Sequence, residues 1–198
     1  TTGTDQGGKR LWDYSGDLTG DHLTLVELQK LDSLWLAPDY PTATYAARLS
    51  DSQDLLGVFQ LTDSQLLLLG VVSPEDGLYR TQLKYEPAVV VLQFPLQPGS
   101  TWTTTSQVSG VAMGVMSVYT EKYESQVDAQ GELKIPLGTF EVLRVRTLLT
   151  RTVVPIVTTT RTFTFTSECF GTIASITSES NETKEEFTKA SEIRRLSP

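Results

Sequence analysis

The chain has 198 residues, 39% apolar and 20% charged, with a formal net charge of −8. That size and balance describe one globular domain able to bury a core, not a disordered tail. The negative charge argues against nucleic-acid binding by phosphate neutralisation, no run of about 18 apolar residues offers a transmembrane segment, and the single cysteine, Cys169, allows no intrachain disulfide.

In chain order, the small polar start Thr1–Gly8 has linker composition. It reads as a flexible linker over residues 1–9 behind a removed targeting segment, with a single β domain over residues 10–198. Leu25, Leu28, Leu31 and Trp35 recur near helical spacing, but His22-Leu-Thr-Leu alternates. A strand over that first half is the preferred expectation. A meander follows, with predicted strands at Thr44–Leu49, Leu55–Leu61, Gln65–Val72, Leu78–Tyr85 and Ala88–Phe94. Asp51-Ser-Gln, Thr62-Asp-Ser and Ser73-Pro-Glu-Asp-Gly77 are the turn signals between them.

Met113–Asp128 alternates, with Val115, Tyr119, Tyr123 and Val127 on one face. Ala129-Gln-Gly131 is then expected to turn the chain into Glu132–Ile135. Phe140–Val153 should pair with Ile156–Thr166 across Val154-Pro155. In the second of these strands Phe163 and Phe165 share one face, and Thr158, Thr160, Thr162, Thr164 and Thr166 the other, the pattern of a sheet wet on one side. Thr172–Ser178 is a further strand, Glu179–Glu186 a solvated loop, and Glu192–Leu196 closes an edge. Long strands with one apolar face predict a mainly β fold: a single antiparallel, strongly curved sheet or partly closed β-barrel with little helix.

No catalytic residue, cofactor site or metal site is predicted. His22 is the one histidine, and no Gly-x-Ser-x-Gly elbow supplies a serine for it. Cys169 lies between Glu168 and Phe170, which give no cation to lower its pKa, so a half-buried packing role is expected. Asp13, Asp17 and Asp21 lack the spacing of a calcium loop. Gly110-Val-Ala-Met-Gly114 lacks the lysine of a phosphate loop. Arg144 and Arg146 share a strand face and could meet Arg161 as a cationic spot. Cross-strand pairing of the arginines with Glu121 or Glu124 is the preferred alternative.

Two segments carry turn chemistry. In Phe94-Pro-Leu-Gln-Pro-Gly-Ser-Thr-Trp102, Pro98 and Gly99 suit a type II turn, and Trp102 anchors the next strand. In Ile135-Pro-Leu-Gly-Thr-Phe140, Pro136 ends a strand, Gly138 lets the chain reverse, and Phe140 starts the next strand. Their order resembles an uncharacterised family of bacterial secreted proteins and lipoproteins that carry a domain of unknown function. Tyr45–Val72 is similar to the family's strand, turn and Leu-rich strand. Cys169-Phe-Gly-Thr-Ile is similar to a late strand often written Gly-x-Gly, with Cys169 at the first glycine.

The resemblance implies an extracytoplasmic protein, periplasmic or tethered to the outer membrane by a lipid anchor upstream. The expected function is non-catalytic: binding an apolar ligand, such as a lipid, or an envelope protein partner in the concavity of the sheet. The alternatives are a structural or assembly module of the envelope and, behind it, a carboxylate-based hydrolase. No sequence feature sets an oligomeric state.

Overall fold

A computed structural model describes residues 1–7, 9–50 and 54–198. The turn signal Asp51-Ser-Gln and Gly8 lie outside the described residues. Among the described residues twelve strands form one sheet. They are β1 (Thr4–Gln6), β2 (Lys9–Asp13), β3 (Tyr45–Arg48), β4 (Leu56–Leu61), β5 (Gln65–Val72), β6 (Gln82–Gln93), β7 (Thr101–Ala112), β8 (Val115–Ile135), β9 (Gly138–Val153), β10 (Ile156–Ser167), β11 (Gly171–Ser178) and β12 (Ala190–Arg195). The path from β3 to β12 is an antiparallel meander curled into a half-barrel. β2 joins it in parallel to β8 and carries β1 on its other edge.

Alternation produces the curl. On β7, Trp102, Thr104, Ser106 and Val108 are buried while Thr103 and Thr105 are exposed. The buried set faces inward with Val127 of β8 and Val145 of β9. Leu92 of β6 packs in the same cluster as Val145. Strands three apart would stand roughly 14 Å from each other in a flat sheet, and a cluster that gathers side chains from all four of these strands goes with the curl of the sheet. The β6–β7 ladder ends at Glu86↔Gln107. Past that point inward side chains of β7 replace it. Ser106 Oγ donates to the Pro87 carbonyl (2.7 Å), and Trp102 Nε1 donates to the Val90 carbonyl (3.0 Å).

The outer face has its own core at one end. Trp12, Leu133, Phe163, Phe165, Ile173 and Phe187 pack there, under β2 and the loop before β12. As the period predicts, Phe163 and Phe165 point into it while the β10 threonines occupy the inner face, half-buried rather than wet.

Four local expectations need correction. Residues 22–28 form no strand; Gln29 makes one bridge to Ala46, and two 3₁₀ turns follow at Leu31–Ser33 and Ala37–Asp39. The alternating leucines there have no neighbouring strand to complete a ladder. Ala129-Gln-Gly131 is not a turn: β8 runs through it for 21 residues, with a bulge between Val127 and Ala129. Gly131 is small because β2 passes against it, and a Cβ there would lie 2.0 Å from the Arg10 carbonyl oxygen. Leu78–Tyr85 and Ala88–Phe94 are not two strands. The strand they share is the single β6, crossing Pro87 where the ladder to β7 has just ended and no donor is lost. Finally, the start differs from a linker. β1 pairs with β2, and the Thr1 carbonyl accepts bonds from Trp12 Nε1 (2.9 Å) and Arg144 Nη1 (2.7 Å).

Candidate functional site

The arginines singled out from the sequence are absorbed by partners. Arg144 is 2% exposed in its side chain and makes paired bonds to Asp128 (3.0 and 2.8 Å) and Glu186 (3.2 and 2.6 Å). The bulge after Val127 re-aims Asp128 toward it. Its guanidinium also stacks 4.2 Å from the Phe163 ring centre. Burial opposes its charge, but hydrogen bonds to Asp128 and Glu186 prevail and raise its pKa. Arg146 pairs with Glu185 and donates to Gln126 Oε1 (2.6 Å). Arg161 Nε donates to the Glu182 carbonyl (3.0 Å). The three therefore form no free cationic spot. Of the two predicted partners, Glu121 does pair, with Arg151 (2.6 Å), while Glu124 pairs with Lys122 (2.8 Å).

Among the described residues Glu121 is the one fully buried acid, 0% exposed on the inner face. Tyr123 donates to its other oxygen (2.5 Å), and Arg151 lies 5.4 Å from the Tyr119 ring centre. Burial pushes Tyr123 well above its ordinary value. Burial opposes the Arg151 cation too, and Glu121 outweighs it. These bonds satisfy Glu121, the buried partner of an ion pair whose arginine is half in water.

On the outer face a cavity of about 360 Å³ is lined by Thr101, Thr103, Gln126, Arg146, Arg161 and Glu185, among others. Of its charged groups, Arg146, Glu185 and Glu124 are in ion pairs, and Arg161 donates to the Glu182 carbonyl. The inner concavity is occupied by side chains: Val108, Tyr119, Tyr123, Leu83, Tyr85 and Phe59 fill one part.

The turn anchors lie toward the same end of the sheet, the first against Val127 and the second beyond Ile135 at the end of β8. Gly99, with φ 84°, donates its N–H to the Val127 carbonyl (2.8 Å), and Val127 N–H donates to Ser100 (2.9 Å). Pro98 precedes this turn, which delivers Trp102 to the core. Pro136 lies between β8 and β9, Gly138 opens β9 at φ 152°, and Phe140 packs edge-on to Phe170 at 5.1 Å. Cys169 lies near Phe170 in the next turn. It is exposed, not half-buried, and adopts φ 69°, the left-handed region that glycine favours. His22 contacts the Gly20 carbonyl (3.2 Å). Asp13 accepts from Ser15, and Asp21 from the Leu18 N–H and from Arg195. Among the described residues no group of three or more His, Cys, Asp or Glu gathers closely enough to hold a metal ion.

The opposite end of the sheet is unlike all of this. The meander places the β5–β6, β7–β8 and β9–β10 connections side by side. Each carries large apolar side chains in water: Leu78 (83% exposed) and Tyr79 in the first, Met113 and Met116 (74%) in the second, Val154 (86%) and Ile156 in the third. The first two are tied together. Gly114 N–H donates to the Arg80 carbonyl (3.1 Å), and Met113 N–H donates to Thr81 Oγ1 (3.2 Å). Gly114 is required at this crossing: its φ is 79°, and a Cβ would stand 2.6 Å from the Leu78 carbonyl oxygen. Arg80 is held by Asp76 (2.8 Å) and lies over the Trp35 ring. These are ordered tips that hold apolar groups outward. Removing a Val, Leu, Ile or Met side chain from water is worth about 1.5–3 kcal/mol.

Sequence reasoning missed this end because it treated Leu78 and Met113 as strand material. A signal was present. Hairpin turns favour Gly, Asn, Asp and Ser, whereas these read Met-Gly-Val-Met and Val-Val-Pro-Ile. No family model, curated protein or solved structure matches the chain.

Proposed function

We propose that the protein is a non-catalytic binding module of the bacterial cell envelope that engages an apolar partner through the β5–β6, β7–β8 and β9–β10 tips. The observation that carries this is the set of large apolar side chains exposed on three neighbouring turns, the first two of which are hydrogen-bonded to each other. Exposed apolar residues scattered singly need no explanation, but a contiguous set marks an interaction surface. A lipid held inside the curve has less support, because side chains of the sheet occupy that space. The non-catalytic part of the proposal is supported by the pairing of Glu121, Glu124, Glu185 and Glu186 with cations. The envelope location goes with the resemblance of the Pro98–Trp102 and Pro136–Phe140 turns.

Partitioning between buffer and a non-ionic detergent phase tests it. The protein is expected in the detergent phase. A Leu78→Ser/Met116→Ser/Val154→Ser variant, with an unchanged unfolding midpoint, is expected to stay in buffer. Wild-type protein remaining in buffer would overturn the proposal.

A further inference from the structure

We infer that the apolar end docks into the surface of a lipid bilayer, an inference that rests on that end being the binding surface. Face assignment is the first reason. Cross-strand register places Met116 and Val118 on the outer face of the β7–β8 hairpin and Val115 on the inner face. At the β9–β10 tip Val157 is outward, while Val153 and Ile156 are inward. All of these side chains are exposed. A groove on a protein covers one face of a hairpin. A surrounding apolar medium takes both faces of two neighbouring hairpins at once.

Depth agrees with this. The apolar part of β8 from Val115 to Val118 spans roughly 10–13 Å at about 3.3 Å per residue. Shallow insertion at the boundary between headgroups and acyl chains reaches about 5–10 Å. Backbone polar groups that enter such a region must already be bonded. Here Met113 and Gly114 donate to the neighbouring loop, and the ladder continues to Ala112↔Val115 and Val153↔Ile156. Tyr79, exposed beside Leu78, suits the headgroup level with an apolar ring and a polar tip.

Charge defines the kind of bilayer. No charged residue occurs from Pro87 to Thr120 or from Thr152 to Thr160. Insertion of these two tips therefore strips no charge of water. The nearest charges in the chain, Glu121 and Arg151, pair with each other, as do Asp76 and Arg80 in the first loop. The two tips carry no basic residue to recruit anionic headgroups, and the protein carries −8 overall. The surface that fits is zwitterionic, entered by apolar insertion and not by charge attraction.

Flotation with phosphatidylcholine vesicles is the test, run beside the detergent partition. The full chain should float with phosphatidylcholine vesicles, equally at low and high salt. It should float less with vesicles that also contain phosphatidylglycerol. Met116→Asp and Val154→Asp should each weaken binding about tenfold or more, with unchanged unfolding midpoints. Leu25→Ser, at an exposed leucine outside the three tips, should leave it unchanged. A Met116→Trp variant should shift its emission to the blue when phosphatidylcholine vesicles are added. Detergent partition without flotation or a blue shift would overturn the bilayer and keep the binding end, pointing to a protein partner. A concentration-dependent dimer lost in Met116→Asp, again without flotation, would assign the surface to a second copy. Failure of both flotation and detergent partition would remove the binding end as well. Equal loss in Leu25→Ser would also overturn the assignment to the tips.

Discussion

The two ends of the half-barrel use apolar residues in opposite ways. At the Pro-Gly end, large side chains disappear beneath something. Trp102 enters the inner core, Phe140 meets Phe170, and Trp12 and Phe165 stack edge to face at 5.2 Å under β2. Turns there are written in proline and glycine, and Arg144 ties β8, β9, the start of the chain and the loop before β12 together. At the other end, turns of the same sheet carry valine, methionine and leucine into water, held firmly by Gly114 and Thr81. The first end spends apolar area on the fold. The second keeps it available. Equal hydrophobicity in the sequence thus has two meanings, and the strand's partner, not its composition, decides which applies.

Substitutions that act on the fold at one end and on binding at the other can break this contrast. The largest effect is expected at Arg144. Its replacement by alanine leaves Asp128 and Glu186 without their shared cation and unpins the first residue. The expected loss is about 3–5 kcal/mol in denaturant unfolding. A loss under about 1 kcal/mol would mean that the buried ion pairs do not hold this end together. Next comes Trp102→Phe, which keeps most of the ring but removes the indole donor from the Val90 carbonyl. The expected loss is about 1–3 kcal/mol. Its informative feature is location: that bond lies where β6 and β7 have stopped pairing, so amides near Val90 should exchange faster. Unchanged exchange there would show that the side-chain splice is dispensable.

Much of the fold was legible because the period-two pattern is strong where one face is buried. Phe163 and Phe165 against the threonines of β10 identify both the strand and its faces, and Val154-Pro155 locates the hairpin. Legibility failed where a residue's size answered to a distant strand. Gly131 reads as a turn residue, yet it is small because β2 runs against it from more than a hundred positions away. Pro87 reads as a strand breaker, yet it falls where no ladder bond is needed. Leu23 and Leu25 alternate, yet among the described residues no strand pairs with them. The candidate site was hidden for a related reason. Alternation marks apolar positions but says nothing about whether the far side is protein or solvent, and at the tips both sides are solvent.

A smaller effect is expected on acidification. Burial works against the Glu186 carboxylate, but Arg144 prevails and holds its pKa below the ordinary 4.5. A carboxylate lowered in the folded state adds stability above its unfolded pKa and loses it as pH falls through the folded one. The unfolding midpoint should therefore drop as pH is taken below about 4.5. Glu186→Gln should be less stable at neutral pH and show a flatter fall. Because Glu186 is partly in water, the effect should be smaller than that of Arg144. The same titration applied to a Met116→Ser variant should follow the wild type, since that tip holds no acid. A difference between those two curves would show that the ends are coupled.

The smallest stability effect belongs to the tips, and it is the sharpest use of the contrast. Val154→Ser and Phe165→Ser are both apolar-to-polar changes on one hairpin, β9–β10. Phe165 is fully buried, so its loss leaves a cavity and places a hydroxyl in the core; about 3–5 kcal/mol should go. Val154 buries little area, so its replacement should lie within about 0.5 kcal/mol of wild type. Detergent partitioning should respond in the reverse order among molecules that remain folded, falling for Val154→Ser. If Val154→Ser instead destabilised the fold, its side chain would be covered in solution and the exposed end would not exist. If it changed neither stability nor partitioning, valine at that turn would serve neither the fold nor a partner. Only a loss of binding with stability retained is consistent with a sheet whose one end is built to hold itself together and whose other end is built to hold something else.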